Sequence, residues 1–475
     1  AERFAAAFAD QCGGWCAEHG LMLTGHMMEE PTLHSQTCAL GDAMRSYRSF
    51  QLPGIDMLCN RTELTTAKQA QSAARQYGRE GVLSELYGVT GWDFDFRGHK
   101  YQGDWQAALG VTVRVHHLTW VSMKGEAKRD YPASIGYQSP WWKDYAYVED
   151  HFARVNTALT RGKPEVRVGV IHPVESYWLH WGPSEQTEGI RSQLDSNFQD
   201  LTRWLLEGCI DFDFIAESLL PEQCPAGGAP LQVGQMAYDI LIVPGCQTLR
   251  STTLERLEAF RKAGGKLIFL GEAPEFENAV PSDRGSALWE RSCRTAFARE
   301  AVLEVLESDR IVDIRGENGS RTENLIHQLR RDGDDRWLFV AHSREPKNRN
   351  VPTAQNIRIV LNGEFDALQY DTLTGDIRPL AVSHSDGKTV LSACLYDLDS
   401  LLLRYIPASG AKADDAKQKG SAANLCSVPK RVRYSLDEPN IYLLDKAEYA
   451  LDDAPYAPET ELLRADNVLR EHLGW

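Results

Sequence analysis

The sequence is short of positive charge: 51 Lys and Arg stand against 67 Asp and Glu, for a net charge of −16. Such a chain offers no general basic face to nucleic acid or to an anionic membrane surface. Long apolar runs are missing as well, and none approaches the ~20 residues of a membrane span. The opening, AERFAAAFADQCGGWC, lacks a basic n-region followed by an apolar h-region, so it reads as a helix already under way. No compact cysteine framework is present. The ten cysteines are scattered through the chain, which points to reduced thiols and a cytoplasmic setting. Cys12 and Cys16, with Cys38 and Cys59 beyond, are spaced too loosely for a convincing zinc site, and small buried hydrophobes fit them better.

What is present is ordinary for a soluble enzyme, with 43% hydrophobic and 25% charged residues over 475 positions, enough for about three domains. Strand-like runs at 21–26, 54–58, 81–85 and 111–120 alternate with helical patterns at 39–50 and 65–77, as in a parallel α/β unit. The stretch WDFDFRGHKYQGDW at 92–105 reads as a loop, and 121–150 as a long irregular segment crowded with aromatics. A helix over 147–160 follows. Four strands are half of a closed (β/α)8 barrel. Residues 1–163 are therefore expected to be its C-terminal half, with the other half supplied by sequence outside this chain or by another chain.

Residues 164–330 alternate strand and helix as a flavodoxin-like, doubly wound domain. No G-x-G-x-x-G or Walker loop follows its first strand, which argues against nucleotide binding. The period then shortens to two, so 331–433 are expected to form a small antiparallel β-sandwich, with turns at Asn362-Gly363 and Thr374-Gly375. The polar stretch 408–424 reads as a linker or insertion. Residues 434–475 read as the lead-in to a further β-domain, closing on a helix over 459–475.

The chain is organised around GVLSELYGVTG at 81–91. A short apolar run delivers Glu85 to a strand's C-terminal end, and Gly88 and Gly91 let the backbone turn and leave room above it. That is how a barrel presents an acid to a substrate, and Glu85 is the candidate catalytic carboxylate of a glycoside hydrolase. Sugars also need hydrogen-bonding groups around a flat aromatic platform. His26, Trp92, Asp93, Lys100, His117, Trp120, Arg129 and Asp130 are the substrate-binding candidates at the same rim, with Trp141 and Trp142 nearby. His116 alternates to the opposite face and is expected to be structural. Helix-capping or ion-pair duty is expected of Glu29 and Glu30, which follow the first strand in a loop.

The carrying residues are SELYGVTGW (84–92), Lys100, GDWQAALGVTVRVHHL (103–118) and PWWKDYAYVEDHFARVNTALTRG (140–162). With the order of the parts, they resemble large clan A-type glycoside hydrolases, the family 106 α-L-rhamnosidases and family 42 β-galactosidases among them. In both, a glutamine-amidotransferase-like domain without that activity follows the barrel. The resemblance implies an exo-acting enzyme on a neutral sugar, in which Glu85 lies on the seventh barrel strand. There it is the nucleophile of a retaining enzyme or the general base of an inverting one. The partner acid is implied on the fourth strand, upstream of residue 1. No cofactor is expected, although a calcium ion has precedent in rhamnosidase-type enzymes, and an oligomer is expected. His26, Glu29, Glu30, Asp93 and Asp95 offer oxygen-rich ligands but not at the spacing of a calcium loop. Two other readings stay open. One is a catalytically silent carbohydrate-binding or scaffolding subunit. The other is an amidotransferase built on Cys246, with His172 and Glu175, although PGCQTL lacks the glycine-flanked elbow of a nucleophile.

Overall fold

The computed structural model of the chain describes residues 1–124, 135–408, 431, 433–435 and 444–475. Arg129 and Asp130, expected at the substrate rim, lie outside the described residues, as does most of the 408–424 linker. The first unit is a parallel sheet in the order β1 (Thr24–His26), β2 (Leu52–Met57), β3 (Val82–Leu86) and β4 (Val111–His116). In β3 burial alternates: Val82, Ser84 and Leu86 face the helices, while Leu83 and Glu85 face the open side. On that open side Val113 and Val115 of β4 are 39% and 43% exposed. Neither β1 nor β4 has a partner on its outer edge among the described residues.

The helices depart from expectation in three places. The N-terminal helix is two, α1 (Glu2–Ala7) and α2 (Ala9–Glu18), broken where Phe8 leaves helical geometry. The helix expected at 39–50 is the shorter α4 (Ala43–Tyr47), capped by Asp42, and a helix not expected, α3 (Leu33–Ala39), opened by a Thr32–Ser35 capping box, precedes it. The helix expected at 65–77 is α5 (Leu64–Gln76). The expected loop at 92–105 is mostly α6 (Phe96–Ala108), whose N-cap Asp95 accepts the Arg97 and Gly98 amides. Gly98 and Gly103 look like breakers in the sequence. Each instead sits under a ring: a Cβ on Gly103 would meet Phe152 at 2.1 Å, and one on Gly98 would meet Phe94 at 2.3 Å. Phe152 comes from α7 (Ala146–Leu159).

All thirteen residues of α5 are buried. One side covers β2 and the other meets a second parallel sheet, so the helix is a seam between two units. Alanines at 67, 70, 73 and 74 allow the close approach. The polar positions cross the seam: Lys68 pairs with Asp211 at 2.6 Å, Arg75 with Asp211 and Asp213 at 2.9 Å, and the Phe214 amide donates to the Ser72 hydroxyl. Buried pairs of this kind add little net stability, because desolvation offsets their attraction, but breaking one is costly.

The second sheet runs Phe212–Ile215, Val168–Ile171, Ile240–Pro244, Lys266–Leu270 and Cys293–Thr295, all parallel. In chain order this is 2-1-3-4-5, a doubly wound arrangement. Two antiparallel sheets follow. One is four-stranded: Val312–Gly316, Ala354–Asn362, Lys388–Tyr396 and Val382–Ser385. The other is six-stranded and takes in Lys163–Pro164 at its edge. Ile314, Leu338, Val340, Ile359, Leu391 and Leu403 are part of the core they share. The strands Val312–Gly316 and Leu325–Asp332 belong to these sheets although they lie almost wholly in the stretch expected to be doubly wound, so the sandwich begins before residue 331. Gly363 and Gly375 take positive φ at the two expected turns. Beyond, Lys446–Tyr449 pairs with Ala457–Glu461, and the helix Leu462–Leu473 stops at Gly474 in the left-handed region. Among the described residues no helix is long and apolar enough to cross a membrane.

Candidate active site

Parallel register decides what meets at the strand ends. His26 pairs with Gly54, Asp56 with Glu85 and Glu85 with Val115, so three polar side chains project from one face of three adjacent strands. Gly54 keeps the neighbouring strands close, since a Cβ there would lie 2.3 Å from the Gly25 carbonyl. One ligand atom each from His26, Asp56 and Glu85 lies within 4.8 Å of the others. His26 Nε2 is 3.7 Å from both carboxylates, and its Nδ1 donates to the Met27 carbonyl at 2.8 Å, which leaves Nε2 facing the acids. His117, just past β4, brings Nε2 to 3.9 Å from the second oxygen of Glu85, above Gly88. The four side chains are 24–33% exposed: reachable from solvent, yet confined.

The surroundings are acidic. Burial pushes the Asp56 carboxyl above its usual range, and Glu85 adds to that, against the opposing pull of His26 and His117. Glu63 is raised for the same first reason, with Asp56 and Glu29 contributing. Glu30 is buried, accepts the Tyr47 hydroxyl at 3.1 Å and is also raised by burial. It serves the interior of the first unit rather than a helix cap or an ion pair.

The sequence-derived candidates divide. Glu85, His26 and His117 come together at the strand ends. Trp92 and Trp120 leave β3 and β4 on the same side and pack with ring centroids 5.9 Å apart, while Asp93 is exposed beside them. Lys100 is a correction: placed on α6, it points away from Glu85 and bonds Asp104 at 2.6 Å, Ser400 Oγ at 3.0 Å and the Leu398 carbonyl. It joins the first unit to the antiparallel sheets and is not brought together with His26, Asp56 and Glu85. His116 pairs with Glu149 at 2.9 Å, the structural role expected. Asp56 was missed. It stands in the apolar run GIDML, and the available signal was its two-residue spacing from Gly54 on the face that carries His26 and Glu85.

Two further readings meet the geometry here. The amidotransferase reading needs an accessible thiolate, but Cys246 is 2% exposed, and burial, with Glu217 close by, lifts its thiol well above the ordinary value. His172 bonds Gln69, and Glu175 is occupied by Arg250 at 2.6 Å. A calcium ion takes six to eight oxygen ligands. The His26–Asp56–Glu85 group supplies two carboxylates and an imidazole, a donor set that does not match calcium. Among the described residues no cysteine cluster has metal-binding geometry.

No protein-family model matches the chain. A curated protein of Formosa agariphila named "Putative beta-glucuronidase" is 22% identical over 431 residues, covering 87% of this chain and 34% of its own length. Among solved structures, a rhamnosidase from Novosphingobium sp. PP1Y superposes with a TM-score of 0.65 at 16% identity, over 96% of this chain and 42% of that one. A family 42 β-galactosidase from G. stearothermophilus gives 0.55 at 12% identity, over 84% and 67%. The chain thus shares the α/β fold of these glycoside hydrolases, and it spans about a third of the curated relative and under half of the rhamnosidase.

Proposed function

We propose that this chain carries one side of a glycoside hydrolase active site, with Glu85 as the catalytic carboxylate, exo-acting on a neutral sugar. The observation that carries the reading is the convergence of His26, Asp56 and Glu85 within 4.8 Å at the C-terminal ends of adjacent parallel strands. The four-stranded sheet is the C-terminal half of a barrel in this reading. Its free edges, and Val113 and Val115 on the open side, are what a completing half would cover. The half-barrel is then followed by the flavodoxin-like domain, and the sandwich begins at Val312, earlier than the expected residue 331, and takes in Lys163–Pro164 at its edge.

Glycosidic cleavage needs two carboxyl groups flanking the scissile bond, roughly 5–5.5 Å apart for retention or 6.5–9.5 Å for inversion. Asp56 does not fill the second place. It stands beside Glu85 on the same face, so both would approach a sugar from one side. The opposing acid comes from the barrel half outside this sequence, in the same protein or in a partner. Asp56 and His26 instead position Glu85: Asp56 holds a proton more readily than an ordinary aspartate, and His26 bridges the pair. Trp92 and Trp120 offer an apolar platform for a sugar ring, and His117 a hydrogen bond to it.

An acid-rich rim disfavours an anionic ring, whereas the curated relative's name points to a glucuronide. Both substrates therefore belong in the test. Hydrolysis of neutral and uronic aryl glycosides is compared for Glu85→Gln and the unaltered sequence, in the protein or complex that contains the whole barrel. Glu85→Gln is expected to lose three orders of magnitude or more, on the order of 4 kcal/mol of barrier, with the fold retained. Turnover that survives the substitution ends the assignment. Absence of turnover in the complete assembly favours the silent sugar-binding reading.

A further inference from the structure

A cavity of about 1010 Å³ opens where the four-stranded and six-stranded sheets part. Its size matches sites for organic ligands, and its charge is opposite to that of the strand-end site. Lys100, Arg315, Arg358 and Arg378 line it. Lys100 is taken by Asp104, and Arg315 by Asp313 at 2.6 Å. Among the described residues Arg378 hydrogen-bonds a neutral group, the Gln369 amide oxygen, at 2.9 and 3.1 Å. Arg358 is exposed and has no hydrogen-bond or ion-pair partner among the described residues. It also sits directly opposite Arg315 in the strand register, a like-charge pair that a sheet does not favour for stability.

No carboxylate in the lining forms an ion pair with either guanidinium among the described residues, although Arg378 lies near enough to Asp371 to help hold its carboxyl down. Glu317 accepts from the Asn356 amide, Asp371 from the Leu373 and Thr374 backbone amides, and Asp399 from the Tyr396 amide. Aromatic surface flanks the opening: Tyr396 is 52% exposed, and Tyr370 meets Trp337 edge-on at 4.9 Å. A second cavity of about 340 Å³ shares Tyr370, Asp371 and Thr372 with the first and adds Trp337, Arg154 and Arg404, so the depression is elongated.

We infer that this groove is a second saccharide site, for an oligosaccharide carrying an oxyanion, carboxylate or sulfate, separate from the Glu85 site. Guanidinium forks match both anions bidentately. The amides of Asn356 and Gln369 and the aromatic faces suit the sugar rings between charges. The chain's net charge of −16 would repel a densely charged polyanion such as nucleic acid. A sparsely charged saccharide meets the local arginines without that penalty.

The test is calorimetric titration with a galacturonate hexamer, a sulfated carrageenan hexamer, a neutral cello-hexamer and a single-stranded hexanucleotide. The proteins are the full chain and its Arg358→Ala, Arg378→Ala and Glu85→Gln variants. Expected is binding of at least one anionic saccharide, at least tenfold weaker binding of the neutral one, and about tenfold loss in each arginine variant with unchanged melting. Glu85→Gln should bind as the unaltered chain does, whether or not Glu85 is catalytic. The preferred anion names the source of the charge. The inference is overturned by equal binding of the neutral hexamer, by equal or tighter binding of the nucleotide, or by no saccharide binding. It is also overturned by arginine variants that bind normally.

Discussion

Asp56 and Asp104 are aspartates of the same parallel unit with opposite electrostatics, and burial alone would rank them the wrong way round. The Asp104 side chain is 4% exposed and that of Asp56 24%. Burial pushes both carboxyls upward. At Asp104, however, Lys100 at 2.6 Å and His151 at 2.7 Å outweigh it and hold the group down at about 2. At Asp56 the pull comes from His26 at 3.7 Å, shared with a second carboxylate that pushes the same way as burial, and the group stays raised. Neighbours, not depth, separate a docking joint from a place where a proton can be held. His151 also reaches Thr372, and Lys100 reaches Ser400, so the Asp104 cluster fastens α6 and α7 to the antiparallel sheets.

The comparison breaks most visibly at Asp104. Asp104→Asn leaves Lys100 and His151 without their anion and is expected to lose about 3–5 kcal/mol at pH 7 in urea unfolding. The sign with pH follows from the lowered value. The stabilisation is complete above the ordinary aspartate range near 3.8 and is lost as pH falls towards about 2. The gap between variant and unaltered protein should therefore close across that window. A gap that persists unchanged at pH 2 would show that packing, not charge, holds the joint.

Asp56→Asn should do the reverse. A raised carboxyl stabilises the fold only while protonated, so its ionisation costs stability as pH climbs from about 3.8 through its folded value. The variant is expected to be as stable as the unaltered protein at pH 7, or more so by up to about 1 kcal/mol. Its kcat on a cleaved glycoside should fall by roughly 10–100-fold, with KM little changed, because Asp56 positions Glu85 without holding the sugar. Loss of stability comparable to that of Asp104→Asn would erase the distinction between the two regions.

How much of this was legible follows from which groups announce themselves along a chain. Glu85 stands out because glycines follow it at a strand's end, and His26 and His117 because they close apolar runs. Asp56 did not, since its role depends on parallel register with Glu85, a long-range fact. The two arginines of the groove were equally hidden: Arg358 and Arg378 lie on different sheets, and nothing local says that neither forms an ion pair. Lys100 was misplaced because Gly98 and Gly103 disguise a helix, and Phe94 before it and Phe152 of α7 fill the space a Cβ would need. The doubly wound order and the antiparallel turns, by contrast, rest on local periodicity and turn chemistry, and those were readable.

The smallest expected effect concerns the helix that runs between the two regions. Helix α6 starts just after Trp92 and Asp93, at the strand-end side, and carries Lys100 and Asp104 to the antiparallel sheets. Its N-cap is Asp95, which accepts the Arg97 amide at 3.1 Å and the Gly98 amide at 3.3 Å, while its other oxygen takes the Arg97 guanidinium at 2.8 Å. Both carboxylate oxygens are thus engaged within the helix's first turn and leave little for a sugar. Asp95→Ala is expected to lose about 1 kcal/mol of stability, the usual worth of a cap, with KM for a glycoside unchanged. Because the exposed Arg97 pair adds little, Asp95→Asn, which keeps the cap, should recover most of that loss. A raised KM with no change in unfolding would instead make Asp95 a ligand, and the start of the loop read from the sequence at 92–105 would belong to the sugar site after all.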